Sequence, residues 1–221
     1  EKYIKDTYGS RVKDTTFIAY GAYTDRSQCD EEKLTEWYKQ FNVHAGNYYL
    51  IVGRFVPENN YETMITEFMR SKTEKDLVII TNVEHNKFYE QLREKTGFEK
   101  DKRIKFVGTV YDQDLLKKIR EEAYGYLHGH EVGGTNPSLL EALASTRLNL
   151  LLGVGFNKEV GEDSALYWSK ELGNLATLLE KADTLDADTI EQLDKKSTAR
   201  VQDAYSWKKI VNEYENVFLR K

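Results

Sequence analysis

Short apolar runs alternate with amphipathic stretches along most of the chain. TTFIAYGAY at 15–23 reads as a strand and DEEKLTEWYKQFNV at 30–43 as a helix. YYLIVG at 48–53 is a continuous apolar run, the kind buried on both faces of a sheet. NYETMITEFMRS at 60–71 places Met64, Ile65, Phe68 and Met69 on one helical face. DLVIIT (76–81), RIKFVG (103–108), YGYLHG (124–129) and LNLLLG (148–153) predict further strands. Helices are expected between them at 85–96, at 112–123 and from Pro137. From about residue 170 the pattern is mostly helical. Strand–helix repetition with apolar strands predicts an α/β fold, a Rossmann-like, doubly wound parallel sheet with a helical C-terminal tail. Ligands of such sheets bind beyond the carboxyl ends of the strands. The loops after Val52, Thr81, Val107 and Leu127 are therefore the ones that matter.

Composition narrows the picture. The 221 residues carry a net charge of −5, which argues against a nucleic-acid partner. Cys29 is the single cysteine, so no intrachain disulfide can form. No apolar run approaches the roughly 20 residues that span a bilayer, and a cytoplasmic protein is expected. The opening EKYIKDTYGS reads like the middle of a larger protein. Residues 1–14 are expected to be the remnant of a preceding domain or interdomain connection. Residues 15–204 form the Rossmann-like domain, and 205–221 a closing helix.

The candidate chemistry lies in three loops. Asn136 followed by Pro137 fits a helix N-cap with proline at the first helical position. Gly133 and Gly134 precede it. Free N–H groups there, with the helix dipole, suit a phosphate or diphosphate. Leu140, Leu143 and Ala144 are expected to form the core stripe of that helix. Glu141 sits among apolar neighbours and is expected to face a polar ligand, such as a ribose diol. His128 and His130 are expected to diverge at the strand end, so that one of them faces the site. A zinc site with Glu131 is therefore disfavoured, and no metal is expected. In VGRFVPENNYETM, Arg54 follows Gly53 directly after an apolar strand, placed to grip a diphosphate. In FVGTVYDQDLL, Gly108 ends a strand, and the backbone from Thr109 through Val110 to Tyr111 is placed to meet a nucleobase.

Together YYLIVGRFVPENN, RIKFVGTVYDQDLL and HGHEVGGTNPSLLEALAS resemble the C-terminal, donor-binding domain of GT-B glycosyltransferases of family 4. The ending YSWKKIVNEYENVF is similar to that family's closing helix, and the resemblance covers roughly residues 46 to 221. Its wording is nearest to bacterial rhamnosyltransferases of capsular or exopolysaccharide synthesis. The resemblance implies a nucleoside-diphosphate sugar donor, dTDP-rhamnose first, and no separate cofactor. It implies a glycan or lipid-linked acceptor bound through a missing N-terminal domain, with peripheral membrane contact in the full-length protein. It implies retention of configuration without a metal, and inactivity of this stretch by itself.

By the same resemblance Arg54 contacts the donor diphosphate and Glu141 the ribose. Gly133, Gly134 and Thr135 touch sugar and phosphates, and Gly53, Asn59, Gly108, Thr109, Val110, His130 and Asn136 complete the donor site. Arg54 and Glu131 stand as the catalytic candidates. Two positions depart from the family pattern. Asn59 stands where a lysine is usual, and Glu131 is separated from Glu141 by nine residues instead of seven. A sugar-nucleotide 2-epimerase and a non-catalytic nucleotide-binding module are the alternative functions.

Overall fold

The computed structural model describes residues 2–12 and 14–219. Six strands form one parallel sheet: β1 (Tyr48–Val52), β2 (Asp76–Ile80), β3 (Ile104–Phe106), β4 (Gly125–His128), β5 (Asn149–Leu152) and β6 (Leu166–Trp168), in the order β3-β2-β1-β4-β5-β6. The reversal of direction between β1 and β4 makes the doubly wound, Rossmann-like sheet the sequence predicts. Adjacent side chains of a strand face opposite ways. Tyr49 and Ile51 of β1 accordingly enter one core, with Leu77, Ile79, Leu127 and Leu150. Tyr48 and Leu50 enter another, with Val78, Ile80 and Tyr126.

Helices cover both faces. The first core packs α3 (Tyr61–Arg70), α4 (Lys87–Thr96) and α8 (Asn174–Ala182). Met64, Ile65 and Phe68 supply the buried stripe of α3, and Met69 packs at its margin. The second core packs α2 (Glu31–Phe41), capped by Asp30, and α5 (Gln113–Glu121), capped by Asp112. A third cluster joins α6 (Pro137–Ser145) to α7 (Gly155–Gly161) and α9 (Ala187–Ala204). The N-terminal α1 (Lys2–Tyr8) buries no residue, and α10 (Trp207–Phe218) closes the described chain. No helix among the described residues is long and apolar enough to cross a membrane.

Two features differ from the sequence reading. Residues 15–23 form no strand: they carry no regular structure and join no sheet, and one isolated bridge pairs Ala22 with Ser206. Phe17, Tyr20 and Tyr23 stay exposed, so the apolar run lacks the second layer that a strand there needs. Conversely, α7 and β6 were not signalled. With seven and three residues, they are too short for a periodicity to develop.

Candidate donor site

The site is assembled where β1 and β4 end side by side. After β1 the chain passes through Gly53 and Arg54 into a 3-10 turn, Pro57–Asn59, and Asn60 turns left-handed (φ 55°) to start α3. Side chains staple this loop. Tyr61 donates to the Gly53 carbonyl at 3.1 Å, and the Asn59 amide donates to the Arg54 carbonyl at 2.7 Å. The Asn60 amide reaches across to the Gly129 carbonyl at 2.8 Å and so joins the β1 loop to the β4 loop. A Cβ on Gly129 would lie 2.4 Å from the Asn59 carbonyl oxygen, so this crossing needs glycine.

The two histidines do not diverge. Residues two apart on a strand share a face, and the rings of His128 and His130 lie 6.1 Å apart on one cavity wall. His128 is buried, stacked on Tyr126, and its Nε2 has no partner. Burial, and secondarily His130, push its pKa down to about 3, so the ring is neutral. His130 is half-open, with Nδ1 2.7 Å from Asn59 Oδ1. Burial and then the charge of Arg54 lower its pKa, against a smaller opposing effect of the Val132 carbonyl. The buried Asn157 donates to the His130 carbonyl at 3.0 Å and fixes that backbone from α7.

Helix α6 begins as predicted. Asn136 caps it by accepting from Ser138 N (2.9 Å) and Leu139 N (3.4 Å), and Pro137 takes the first position. These first helical N–H groups are thereby used by the cap. The free donors sit just before the helix: among the described residues, the N–H groups of Val132 to Asn136 have no partner. Gly133 takes φ +128°, a conformation that L side chains avoid, and this leaves the backbone of that loop bare. Ser138, which sequence reasoning missed, shares a three-way contact with Tyr126 OH (3.0 Å) and the Val52 carbonyl (2.9 Å) at the cavity floor. The core stripe of α6 is wider than predicted, since Leu139 and Ala142 are buried as well.

A cavity of about 310 Å³ results, lined by Gly53, Arg54, Asn59, His128, His130 and Asn136 among others. The Arg54 guanidinium is exposed, with no acidic or hydrogen-bonding partner among the described residues. A second, more open concavity that Arg54 also lines contains Thr109 and Val110, next to Gly108 with its positive φ of 73°. Beyond Pro137, a groove of about 510 Å³ holds Glu141 between α5 and α6. Glu141 is the exposed side chain in an otherwise buried stretch, and its Oε2 takes an ion pair from the buried Arg120 at 2.6 Å.

Glu131 is not brought into the Arg54 cavity. Its carboxylate is taken by Lys170 and by the Asn60 amide (3.2 Å), which lower its pKa in that order, and it lines a different cleft beside β6. Among the described residues, no cluster of three or more His, Cys, Asp or Glu side chains is placed to hold a metal ion.

This architecture, with its six-stranded order and trailing helices, is the fold of the C-terminal domain of GT-B glycosyltransferases. The likeness is one of structure: no family model and no curated protein matches the sequence. A glycosyltransferase from Rickettsia africae ESF-5 superposes with a TM-score of 0.78 at 13% identity, over 92% of this chain and 56% of that one. Anabaena Alr3699/HepE in complex with UDP-glucose gives 0.75 at 13% identity, over 92% and 57%. The C-terminal domain of LpcC, a glycosyl transferase group 1 family protein from Francisella tularensis, gives 0.65 at 16% identity, over 85% of this chain and 100% of that one. The chain thus spans little more than half of the first two structures and matches their fold.

Proposed function

We propose that this chain is the donor half of a glycosyltransferase that binds a nucleoside-diphosphate sugar, dTDP-rhamnose first, for transfer to a glycan or lipid-linked acceptor. The observation that carries this reading is the unpaired Arg54 guanidinium, sharing one cavity at the β1–β4 switch point with the N-terminus of α6. A diphosphate there is gripped from one side by Arg54. From the other it meets the free N–H groups before α6 and the positive end of the helix dipole. The leaving diphosphate gains charge as the glycosidic bond breaks, and preorganised donors of this kind stabilise it without a metal. The structure of HepE with UDP-glucose supports a sugar-nucleotide ligand for this fold.

The ribose extends over Pro137 to Glu141, which borders the neighbouring groove. Arg120 holds Oε2 of that carboxylate, so Oε1 is the readier acceptor. The acceptor is expected on a second domain, and these 221 residues by themselves are expected to bind donor without transferring it.

Calorimetric titration with dTDP, UDP, GDP and ADP tests the reading. dTDP is expected to bind tightest. Arg54→Ala is expected to weaken it by roughly 1.5–3 kcal/mol, the range for hydrogen bonds to charged groups, and Glu141→Ala by less. Binding of no diphosphate, or binding indifferent to Arg54→Ala, refutes it.

A further inference from the structure

A diphosphate carries more negative charge than one guanidinium offsets, and the side chain placed to supply the rest is His130. Two contacts fix its ring. The Asn59 amide nitrogen is committed to the Arg54 carbonyl, so the atom facing His130 Nδ1 at 2.7 Å is the amide oxygen. That oxygen can only accept, which places the ring proton on Nδ1 and leaves Nε2 with its lone pair. Nε2 lies toward Gly133, where a Cβ would be 3.3 Å away, within the free N–H run. Phe156 packs edge-on against the ring at 5.8 Å and holds this orientation.

A neutral Nε2 is an acceptor aimed at the place where phosphate oxygens, also acceptors, would sit. Binding then requires either that the ring turn away, which Asn59 and Phe156 oppose, or that Nε2 gain a proton. We propose that His130 is the second cation of the donor site, taking up a solvent proton on Nε2 as the diphosphate binds and donating it to a phosphate oxygen. This rests on the donor-site reading and adds to it a charge that appears with the ligand.

The surroundings favour such a change. Arg54 faces the ring from the β1 loop and His128 from β4. Helix α7 presents Phe156 and Asn157, neither of which titrates. Glu131, the next residue, is engaged by Lys170. Burial and Arg54 keep the free ring below its ordinary pKa, whereas a bound diphosphate offsets Arg54 and adds an attractive charge of its own. The bound ring therefore titrates higher than the free one. Affinity rises as pH falls from the bound pKa toward the free one, by at most about tenfold per pH unit.

The test is titration of this chain with dTDP-glucose and UDP-glucose, whose diphosphates do not titrate near neutrality, in buffers of different ionisation enthalpy. Net proton uptake approaching one is expected where affinity is changing with pH. In His130→Gln the uptake falls to near zero and the pH profile flattens, meeting the parent curve at alkaline pH. Proton uptake that persists in His130→Gln, or none in the parent chain, overturns the proposal. If a nucleotide sugar binds and Arg54→Ala weakens it without proton uptake, the His130 assignment fails and the donor site stands. No binding at any pH overturns both.

Discussion

His128 and His130 are two residues apart on one strand end, yet they inhabit opposite environments. His128 lies on the sealed floor of the cavity, neutral, stacked on Tyr126, with an unpartnered Nε2. His130 stands at the mouth, hydrogen-bonded to Asn59 and within the field of Arg54. The difference teaches that burial, more than residue type, decides which titratable group can change charge during a binding event. On the floor, ionisation is opposed by the whole packed core. At the mouth it is opposed by partial burial and then by the charge of Arg54, which the ligand itself would offset.

The sharpest way to break this contrast is acid. The His128 pKa lies near 3 in the folded chain, against about 6.5 when unfolded. Between those values the unfolded state holds the extra proton. Stability contributed by the neutral, buried ring is therefore complete above about pH 6.5 and lost as pH falls, at up to about 1.4 kcal/mol per pH unit. Chemical denaturation at pH 7, 6, 5 and 4 reads this slope. In His128→Phe this contribution is removed, so its stability should fall less steeply with acid than that of the parent, whatever happens to stability at pH 7. Equal slopes in the two proteins would mean that the floor is wet and the contrast unfounded.

Backbone crowding comes next. Gly129 separates the two rings, and a methyl group there meets the Asn59 carbonyl. Gly129→Ala is expected to cost about 1–3 kcal/mol, the usual range for overpacking. For a chain of this size, melting should fall by about 2–4 °C for each kcal/mol. Gly53→Ala, on the neighbouring loop, has 3.6 Å to its nearest atoms and should leave the melting temperature nearly unchanged. Comparable losses at both positions would show that the loops, not the crossing at Gly129, set the tolerance.

Much of this arrangement was legible in the sequence, for a physical reason. The strands β1, β2, β4 and β5 are buried on both faces and so read as continuous apolar runs, and Asn136-Pro137 announces a helix start chemically. Arg54 could be placed because strand ends in a doubly wound sheet point at ligands. What escaped depends on tertiary contact. The aromatic run 15–23 looks like a strand until it is seen to join no sheet. Ser138, Asn157 and Arg120 act through partners distant in sequence, and no local pattern marks them. The shared face of His128 and His130 follows from a period of two and needed no structure.

The smallest effect is expected at Glu131, and it bears on the border of the site. Glu131 and Arg54 both follow strands at the same edge, but their side chains line separate clefts. The Glu131 carboxylate is paired with Lys170, and both side chains are more than a third exposed (36% and 45%), so solvent screens the pair. Exposed pairs of this kind contribute about 0–1 kcal/mol, and Lys170→Ala should change stability by no more than that. Freed from Lys170, Glu131 could swing only within reach of Asn60, whose amide also holds the Gly129 carbonyl. Neither Lys170→Ala nor Glu131→Gln should then alter dTDP affinity by more than about threefold, less than the tenfold that 1.4 kcal/mol represents. A larger loss in Glu131→Gln alone would move this carboxylate into the donor site. The boundary of the site would then run along β6, not at the mouth guarded by His130.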